Sequence, residues 1–360
     1  MDNLLAAIDN FLKSDAQDFA MMINSDLRHS IRQLKQIYPG LYYFASGVGK
    51  EYKLYLSKNK FVIDYFDLTP KSKKLFIQYT GLKIDLNLTR ALVVKLNPYL
   101  NLDSWFTLLS ETLLAIGCEK DFHSLHFDLA NKIGENLIKS TAYNEWKSLT
   151  ITRNKLCYTP YPLKISPKED KIKNKLGGIY HPVNDGNYFI SIDLKGANFI
   201  VMQAQELTNA KSWSEYMSQF TDHEYFAKLK MLRLKALSVP LLYPAKQKLY
   251  WENITLTLLN NLIEKEILDG KNFAIWNSDE IIFHTTKEHI LKDKIKCDKL
   301  IGNMFPLYNI AVTAFQLFFV DNNKPYYVKI NQVNNKTDFV GINSSETLDA
   351  INLWTQNLNQ

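Results

Sequence analysis

Two short apolar runs, far apart in a chain of 360 residues, each lead to acidic residues. The first run, Phe189–Ile192 in NYFISIDLKG, stops at Asp193. The second consists of FAIW and IIFH, which flank an Asn-Ser-Asp-Glu stretch that contains Asp279 and Glu280. Nearly continuous apolar runs of this length are typical of buried strands. The sequence therefore predicts a buried strand that ends at Asp193 and a hairpin that carries Asp279 and Glu280 at its tip.

The segments around these runs predict an α+β domain over residues 166–330. A mostly helical region follows the first strand, from about residue 197 to 267, and Gly270 ends it. A short helix in EHILKDKIKCDKLIGNMF comes after the hairpin, and two further strands follow in NIAVTAFQLFFVD and KPYYVKINQV. The order strand, helices, hairpin, helix, strand, strand is typical of the α+β class.

The rest of the chain predicts two further parts. Residues 1–165 are expected to form a mostly helical accessory domain that has a small β-hairpin region and binds a template or a partner. Residues 331–360 are expected to form a tail with a helix. Residues 1–38 are interpreted as two helices, because Leu4, Ile8 and then Phe19 and Ile23 belong to apolar sets at helical spacing. The prolines and lysines between about residues 150 and 185 predict a linker or an exposed loop, which places the domain boundary there.

The overall composition excludes several classes of protein. The balance of 46% hydrophobic and 22% charged residues is that of a globular chain, and the net charge of +6 is compatible with a nucleic-acid partner. Three cysteines without a CxxC pair give no sign of a zinc knuckle or a disulfide framework.

We expect no secretion signal and no membrane span, and hence a cytoplasmic protein. The abundance of Asn, Lys, Ile and Tyr suggests a viral, phage or low-GC source, with the host cytoplasm as the location if viral.

The acidic residues at the two strand ends predict a metal site. Carboxylates at the end of a strand are held in place by the sheet and remain open to solvent. Their oxygens are the hard ligands that Mg²⁺ or Mn²⁺ prefers. If the two strands are neighbours, Asp193, Asp279 and Glu280 meet, and their mutual repulsion makes a bound cation favourable.

The motif DLKGANF and the hairpin WNSDEIIFHT together resemble the first and third motifs of the palm-domain nucleotidyltransferases. That group includes polymerases and the tRNA-histidine guanylyltransferase family. The chain differs from the guanylyltransferases, which have Asp-Gly-Arg at the first motif, and the 86 positions between Asp193 and Asp279 are closer to the spacing in template-dependent polymerases. The resemblance implies a palm-like antiparallel sheet with helices on one face. It also implies that Asp193 is a ligand shared by two metals, with Asp279 and Glu280 as its partners.

A cluster of basic residues lies between the two motifs. Lys230 and Arg233 are three positions apart, so on a helix they share a face and could grip a triphosphate, and Lys246 follows. The resemblance places a basic helix with this role between the two acidic motifs. It further places Asn198 and Phe199 near the sugar of the incoming nucleotide.

The combined pattern predicts a metal-dependent nucleotidyltransferase that adds nucleotides to a nucleic-acid 3′ end. Its partners would be a nucleoside triphosphate, DNA or RNA, and other replication or transcription proteins. One alternative is a metal-dependent nuclease, since Asp193-Leu194-Lys195 has the acid-x-Lys form found at some nuclease strand ends. The other is a non-catalytic nucleic-acid-binding or assembly subunit that keeps a palm-like scaffold.

Overall fold

The computed structural model describes residues 2–24, 28–48, 51–158, 178–320 and 326–358. The chain divides into two compact units. The first comprises Met1–Ile133 and Ser214–Ala236, and the second comprises Gly134–Trp213 and Leu237–Gln360. Segment 214–236 therefore belongs to the first unit, although the sequence analysis assigned it to residues 166–330. The expected boundary at residue 165 lies outside the described residues, together with most of the lysines and prolines that suggested it.

Both units contain helices and strands. The helices are α1 (Asp2–Lys13), α2 (Arg28–Ile37), α3 (Pro70–Thr80), α4 (Arg90–Leu100), α5 (Leu102–Ile116), α6 (Glu119–Ile138), α7 (Tyr143–Ser148), α8 (Ala197–Ala204), α9 (Trp213–Met217), α10 (Glu224–Lys228), α11 (Lys230–Leu237), α12 (Pro244–Glu264), α13 (Ile290–Met304) and α14 (Thr347–Leu358). The strands are β1 (Asp18–Asn24), β2 (Tyr42–Val48), β3 (Glu51–Ser57), β4 (Tyr188–Leu194), β5 (Phe273–Asn277), β6 (Glu280–Thr285), β7 (Ile310–Phe319), β8 (Tyr327–Asn331) and β9 (Thr337–Val340).

The first unit contains an antiparallel sheet of order β1-β3-β2. The expectation of a second helix through Phe19 and Ile23 is wrong, because these residues lie in strand β1. Phe19, Met21 and Ile23 are at least partly buried, whereas Ala20 and Met22 between them are exposed. This period-two alternation matches a strand with one buried face, and pairing with β3 outweighs the local helical spacing.

The second unit is built on a sheet of order β5-β6-β4-β7-β8-β9, in which every neighbouring pair is antiparallel. The predicted strand ending at Asp193, the predicted hairpin and the predicted α+β character of this region are confirmed. From β4 to β7 the elements follow the order strand, helices, hairpin, helix, strand, and β4 lies between β6 and β7.

Helices α12 and α13 cover one face of this sheet. Their apolar side chains, including Leu259 and Ile301, pack with Ile192 of β4 and Phe283 of β6 in a single hydrophobic core. Side chains alternate between the faces of a strand, so Asp193 in β4 and Glu280 in β6 lie on the face opposite the helices. Farther along that face, Phe189 and Ile282 pack with Tyr180 in a second apolar cluster.

Residues 331–358 contribute a further strand to the sheet and a helix. Strand β9 pairs with β8, and Ala350 of α14 packs with Tyr326 and Ile342 in a small core. The sequence analysis did not predict β9, because the strand has only four residues and three of them are partly exposed. The helix expected near the end of the chain is confirmed as α14. Within the described ranges, none of the helices has the length and apolar character needed to cross a bilayer.

The core between the sheet and helices α12 and α13 predicts a large difference between two isoleucines. Ile281 is completely buried, whereas Ile295 on α13 is 67% exposed. We expect Ile281→Ala to lower the free energy of unfolding by about 2–5 kcal/mol, because it removes buried methyl groups and leaves a cavity. The matched change Ile295→Ala should alter it by less than about 0.5 kcal/mol. Chemical denaturation followed by circular dichroism measures both values, and equal effects would contradict this packing.

Candidate active site

Two of the three acidic residues face each other across neighbouring strands. In the antiparallel register of β4 and β6, Asp193 lies directly opposite Glu280. Side chains in such a pair lie on the same face of the sheet, with Cβ atoms about 4.5–5.5 Å apart. The sequence analysis required only that the two strands be neighbours, and the structure brings these two residues together.

The third residue, Asp279, lies on the turn between β5 and β6. The backbone N–H of Leu194 donates to the carbonyl oxygen of Asp279 at 3.0 Å, which ties this turn to the end of β4. Ser278, one position earlier, has a φ of 51°. Non-glycine residues seldom adopt this left-handed conformation. The turn therefore has a defined shape that brings Asp279 beside the other two acids.

A glycine makes the chain reversal at the end of β4 possible. Gly196 has a φ of 77° and directly precedes helix α8. This left-handed conformation is readily available to glycine and costly for other residues. The turn directs the chain from β4 into α8 within two residues and leaves Asp193 at the end of the strand.

The carboxylates of the facing pair contact cationic and hydroxyl groups. The Lys195 ammonium forms an ion pair with Asp193. Glu280 Oε1 accepts a hydrogen bond from Ser191 Oγ at 2.5 Å and lies 3.9 Å from Lys329 Nζ. Asp193 and Glu280 are only 25% and 22% exposed, so water screens the repulsion between their carboxylates incompletely. The lysine and serine partners offset part of this repulsion.

The pKa of Asp279 is raised above its ordinary value. The main cause is that neighbouring protein atoms displace water from the carboxyl group, although the residue as a whole is exposed. The negative charges of Asp193 and Glu280 raise the pKa further, and the Lys195 ammonium lowers it. Burial is thus the main cause of the shift, and the charges of Asp193 and Glu280 add to it.

Lys329 is a candidate site residue that the sequence analysis missed. Its ammonium lies over the rings of Phe315 and Tyr180, 4.5 and 5.4 Å from their centres, and near Glu280. The available signal was a lysine inside an otherwise apolar strand, in YYVKIN. A half-buried lysine on a sheet needs a partner, and here the partner is a residue of the acidic group.

Two exposed cations lie near the hairpin turn and were also missed. The Arg153 guanidinium lies over the Trp276 ring, 5.2 Å from its centre, and pairs with Glu252 of α12 at 3.2 Å. Lys248 Nζ lies 3.8 Å from the other oxygen of Glu252. Their side chains are 55% and 58% exposed, so both present positive charge to solvent.

The predicted triphosphate ligands occupy different environments. Lys230 is exposed and Arg233 is half-buried on α11, which belongs to the first unit. Burial lowers the pKa of Arg233. In the second unit, Lys246 Nζ donates to the carbonyl oxygens of Trp146 and Lys147 at 2.8 and 3.1 Å. Lys246 therefore joins α12 to the end of α7.

The predicted sugar-contacting residues lie on α8. Asn198 is half-buried in its first turn. Phe199 is 5% exposed and packs edge-to-face on Trp213, with ring centres 5.6 Å apart. Its ring is thus part of the core of the second unit, which explains an aromatic residue at this position without any ligand.

The three acidic residues are close together but do not form an assembled metal site. In the part of the chain that the structure describes, no group of three or more His, Cys, Asp or Glu side chains is arranged to hold a metal ion. The contacts of Asp193 with Lys195 and of Glu280 with Ser191 are consistent with this result, because they direct the carboxylates to other partners. Asp193, Asp279 and Glu280 are neighbours, but they are not arranged as a ligand set.

No protein-family model, no curated protein and no solved structure matches the chain.

The electrostatic coupling of the acidic residues predicts opposite effects of two substitutions on the pKa of Asp279. Asp193→Asn removes a nearby negative charge and should lower this pKa. Lys195→Met removes a nearby positive charge and should raise it. Titration of ¹³C-labelled aspartate carboxyl groups by NMR measures both shifts. Asp349→Asn, on helix α14, is the control and should have no effect. Shifts of the same sign for Asp193→Asn and Lys195→Met would contradict the arrangement.

Proposed function

We propose that this protein is a metal-dependent nucleotidyltransferase that adds nucleotides to the 3′ end of a nucleic acid. The observation that carries the proposal is the pairing of Asp193 with Glu280 across neighbouring strands, with Asp279 on the adjoining turn. The three carboxylates lie near the same ends of neighbouring strands and repel one another. A divalent cation that binds them all would remove this repulsion. Such an arrangement fits phosphoryl transfer, in which metal ions and positioning supply most of the catalysis.

The topology of the second sheet supports a palm-like interpretation. The order of elements from β4 to β7 is β-α-β-β-α-β, the arrangement of the ferredoxin-like motif. Asp193 on the central strand β4 and Glu280 on the neighbouring strand β6 lie on the face opposite α12 and α13. An antiparallel sheet with helices on one face, and acidic residues on its strands, is what the resemblance to palm-domain nucleotidyltransferases implies.

The donor chemistry fits Mg²⁺ or Mn²⁺. Asp193, Asp279 and Glu280 offer only carboxylate oxygens, which hard divalent cations prefer. Asp193 and Asp279 would hold the cation and Glu280 would support it, after Lys195 and Ser191 have released their partners. A bound cation would neutralise phosphate charge and acidify the attacking hydroxyl.

The side chains around the acids have defined roles in this proposal. Lys195 becomes available to a substrate phosphate once it leaves Asp193. Arg153 and Lys248 are better candidates for phosphate binding than Lys246, because their cationic groups are exposed beside the hairpin turn. Lys246 would first have to give up two carbonyl oxygens. Lys230 and Arg233 remain proposed triphosphate ligands on α11.

The contact between Lys195 and Asp193 also favours a second candidate, a metal-dependent nuclease. In that reaction the carboxylate would bind the metal and the lysine would orient the attacking water. The same residues would serve both reactions, and the products distinguish them. A labelled primer–template lengthens if the protein is a transferase and shortens if it is a nuclease.

The role of Asp193 predicts the outcome of an activity measurement. We expect Asp193→Asn to reduce incorporation of nucleoside triphosphates into a labelled primer by at least about 100-fold, because it removes the charge that binds the cation. The fold should persist, since Asn is isosteric with Asp and the position is at the end of a strand. Gel analysis of primer extension with Mg²⁺ or Mn²⁺ measures the effect.

The matched control is Asp349→Asn, an exposed acid on helix α14 of the same unit. It should leave incorporation unchanged. Undiminished incorporation by Asp193→Asn, or a wild-type protein that incorporates nothing on DNA and RNA templates, would refute the proposal.

A further inference from the structure

A buried glutamate on α12 contacts the turn between β5 and β6. Glu252 is only 2% exposed, and its Oε1 accepts a hydrogen bond from Ser278 Oγ at 2.9 Å. Its Oε2 pairs with Arg153 Nε at 3.2 Å. A buried carboxylate is unfavourable unless it is paired and hydrogen-bonded, and here both oxygens have partners. One of these partners is the residue that directly precedes Asp279.

A second side chain of the same helix holds the backbone of the turn. Thr255 lies three positions after Glu252, so both project from one side of α12. Its Oγ1 lies 2.7 Å from the carbonyl oxygen of Ser278 and accepts a hydrogen bond from Trp276 Nε1 at 2.9 Å. Helix α12 therefore contacts both the hydroxyl and the carbonyl group of Ser278.

These contacts explain how Ser278 keeps its left-handed conformation. Non-glycine residues adopt a φ near 51° only when their surroundings stabilise it. If Ser278 returned to an extended conformation, the direction of the chain at Asp279 would change. The hydrogen bond from Leu194 N–H to the carbonyl oxygen of Asp279 would then be lost.

We propose that Glu252 is a positioning residue for the acidic site: its hydrogen bond with Ser278 holds the turn that presents Asp279 beside Asp193 and Glu280. The proposal rests on the metal-binding role in the proposed function and extends it to a residue that does not touch the metal. Glu252 acts as a hydrogen-bond acceptor in this role, and its negative charge serves to hold Arg153. The two roles can be separated by substitution.

The test is a set of variants whose affinity for Mn²⁺ is measured on the full chain by calorimetry, with thermal denaturation as the check on folding. Glu252→Ala and Ser278→Ala each remove one side of the hydrogen bond, and each should weaken Mn²⁺ binding by about 10-fold. The double variant should bind Mn²⁺ as weakly as either single one, because both changes break the same contact. Glu252→Gln should stay within about 2-fold of the wild type, because its amide oxygen still accepts from Ser278. Ser278→Ala alone still tests the contact if Glu252→Ala does not fold.

Three results would overturn the inference. Single variants that bind Mn²⁺ like the wild type would refute it and leave the proposed metal site intact. A loss in Glu252→Gln equal to that in Glu252→Ala would show that the charge, and not the hydrogen bond, is what matters. A wild-type protein that does not bind Mn²⁺ would refute the metal-binding role in the proposed function and this inference together.

Discussion

The proposed site is governed by the repulsion among acidic side chains that an antiparallel register places next to each other. Asp193 and Glu280 are held opposite each other by the hydrogen bonds of β4 and β6, and they cannot separate without breaking the sheet. Asp279 is tied to the same place through its carbonyl oxygen. Lys195, Ser191 and Lys329 offset this cost.

The hydrophobic core maintains this register. Ile190 and Ile192 of β4, and Ile281 and Phe283 of β6, all face helices α12 and α13. A slip of one residue would turn these apolar side chains away from the helices and bring the acidic side chains into the core. The same apolar residues that stabilise the second unit thus determine which face carries Asp193 and Glu280. Helix α12 contributes twice, through its apolar face to the core and through Glu252 and Thr255 to the hairpin turn.

The sequence predicts correctly those elements that a continuous apolar run and flanking turn residues mark locally. Strand β4 and the hairpin were predictable because their apolar runs are continuous and their ends are marked by turn-forming residues. Strand β1 was mistaken for a helix because its neighbours on both sides are helical and its pairing partner, β3, is distant in sequence. Strand β9 was missed because four residues at the edge of a sheet carry little hydrophobic signal.

The site was predictable only for its acidic residues. Their position at strand ends is visible in the sequence, whereas the partners of Glu280 depend on which strands become neighbours. Lys329 reaches the site because β8 pairs with β7, and Glu252 reaches it because α12 packs beneath the hairpin. The burial of Phe199 against Trp213 is likewise a tertiary contact that neither residue reveals alone.

The proposal that Asp193, Asp279 and Glu280 bind a divalent cation is tested most directly by a crystal structure of the protein with Mn²⁺. Anomalous scattering would locate the metal. We expect an anomalous peak about 2.0–2.4 Å from carboxylate oxygens of Asp193 and Asp279, with Glu280 beside it and the Lys195 ammonium displaced from Asp193. The metal-binding proposal would be contradicted if a crystal soaked at millimolar Mn²⁺ showed no peak beside these acidic residues and Lys195 were still paired to Asp193.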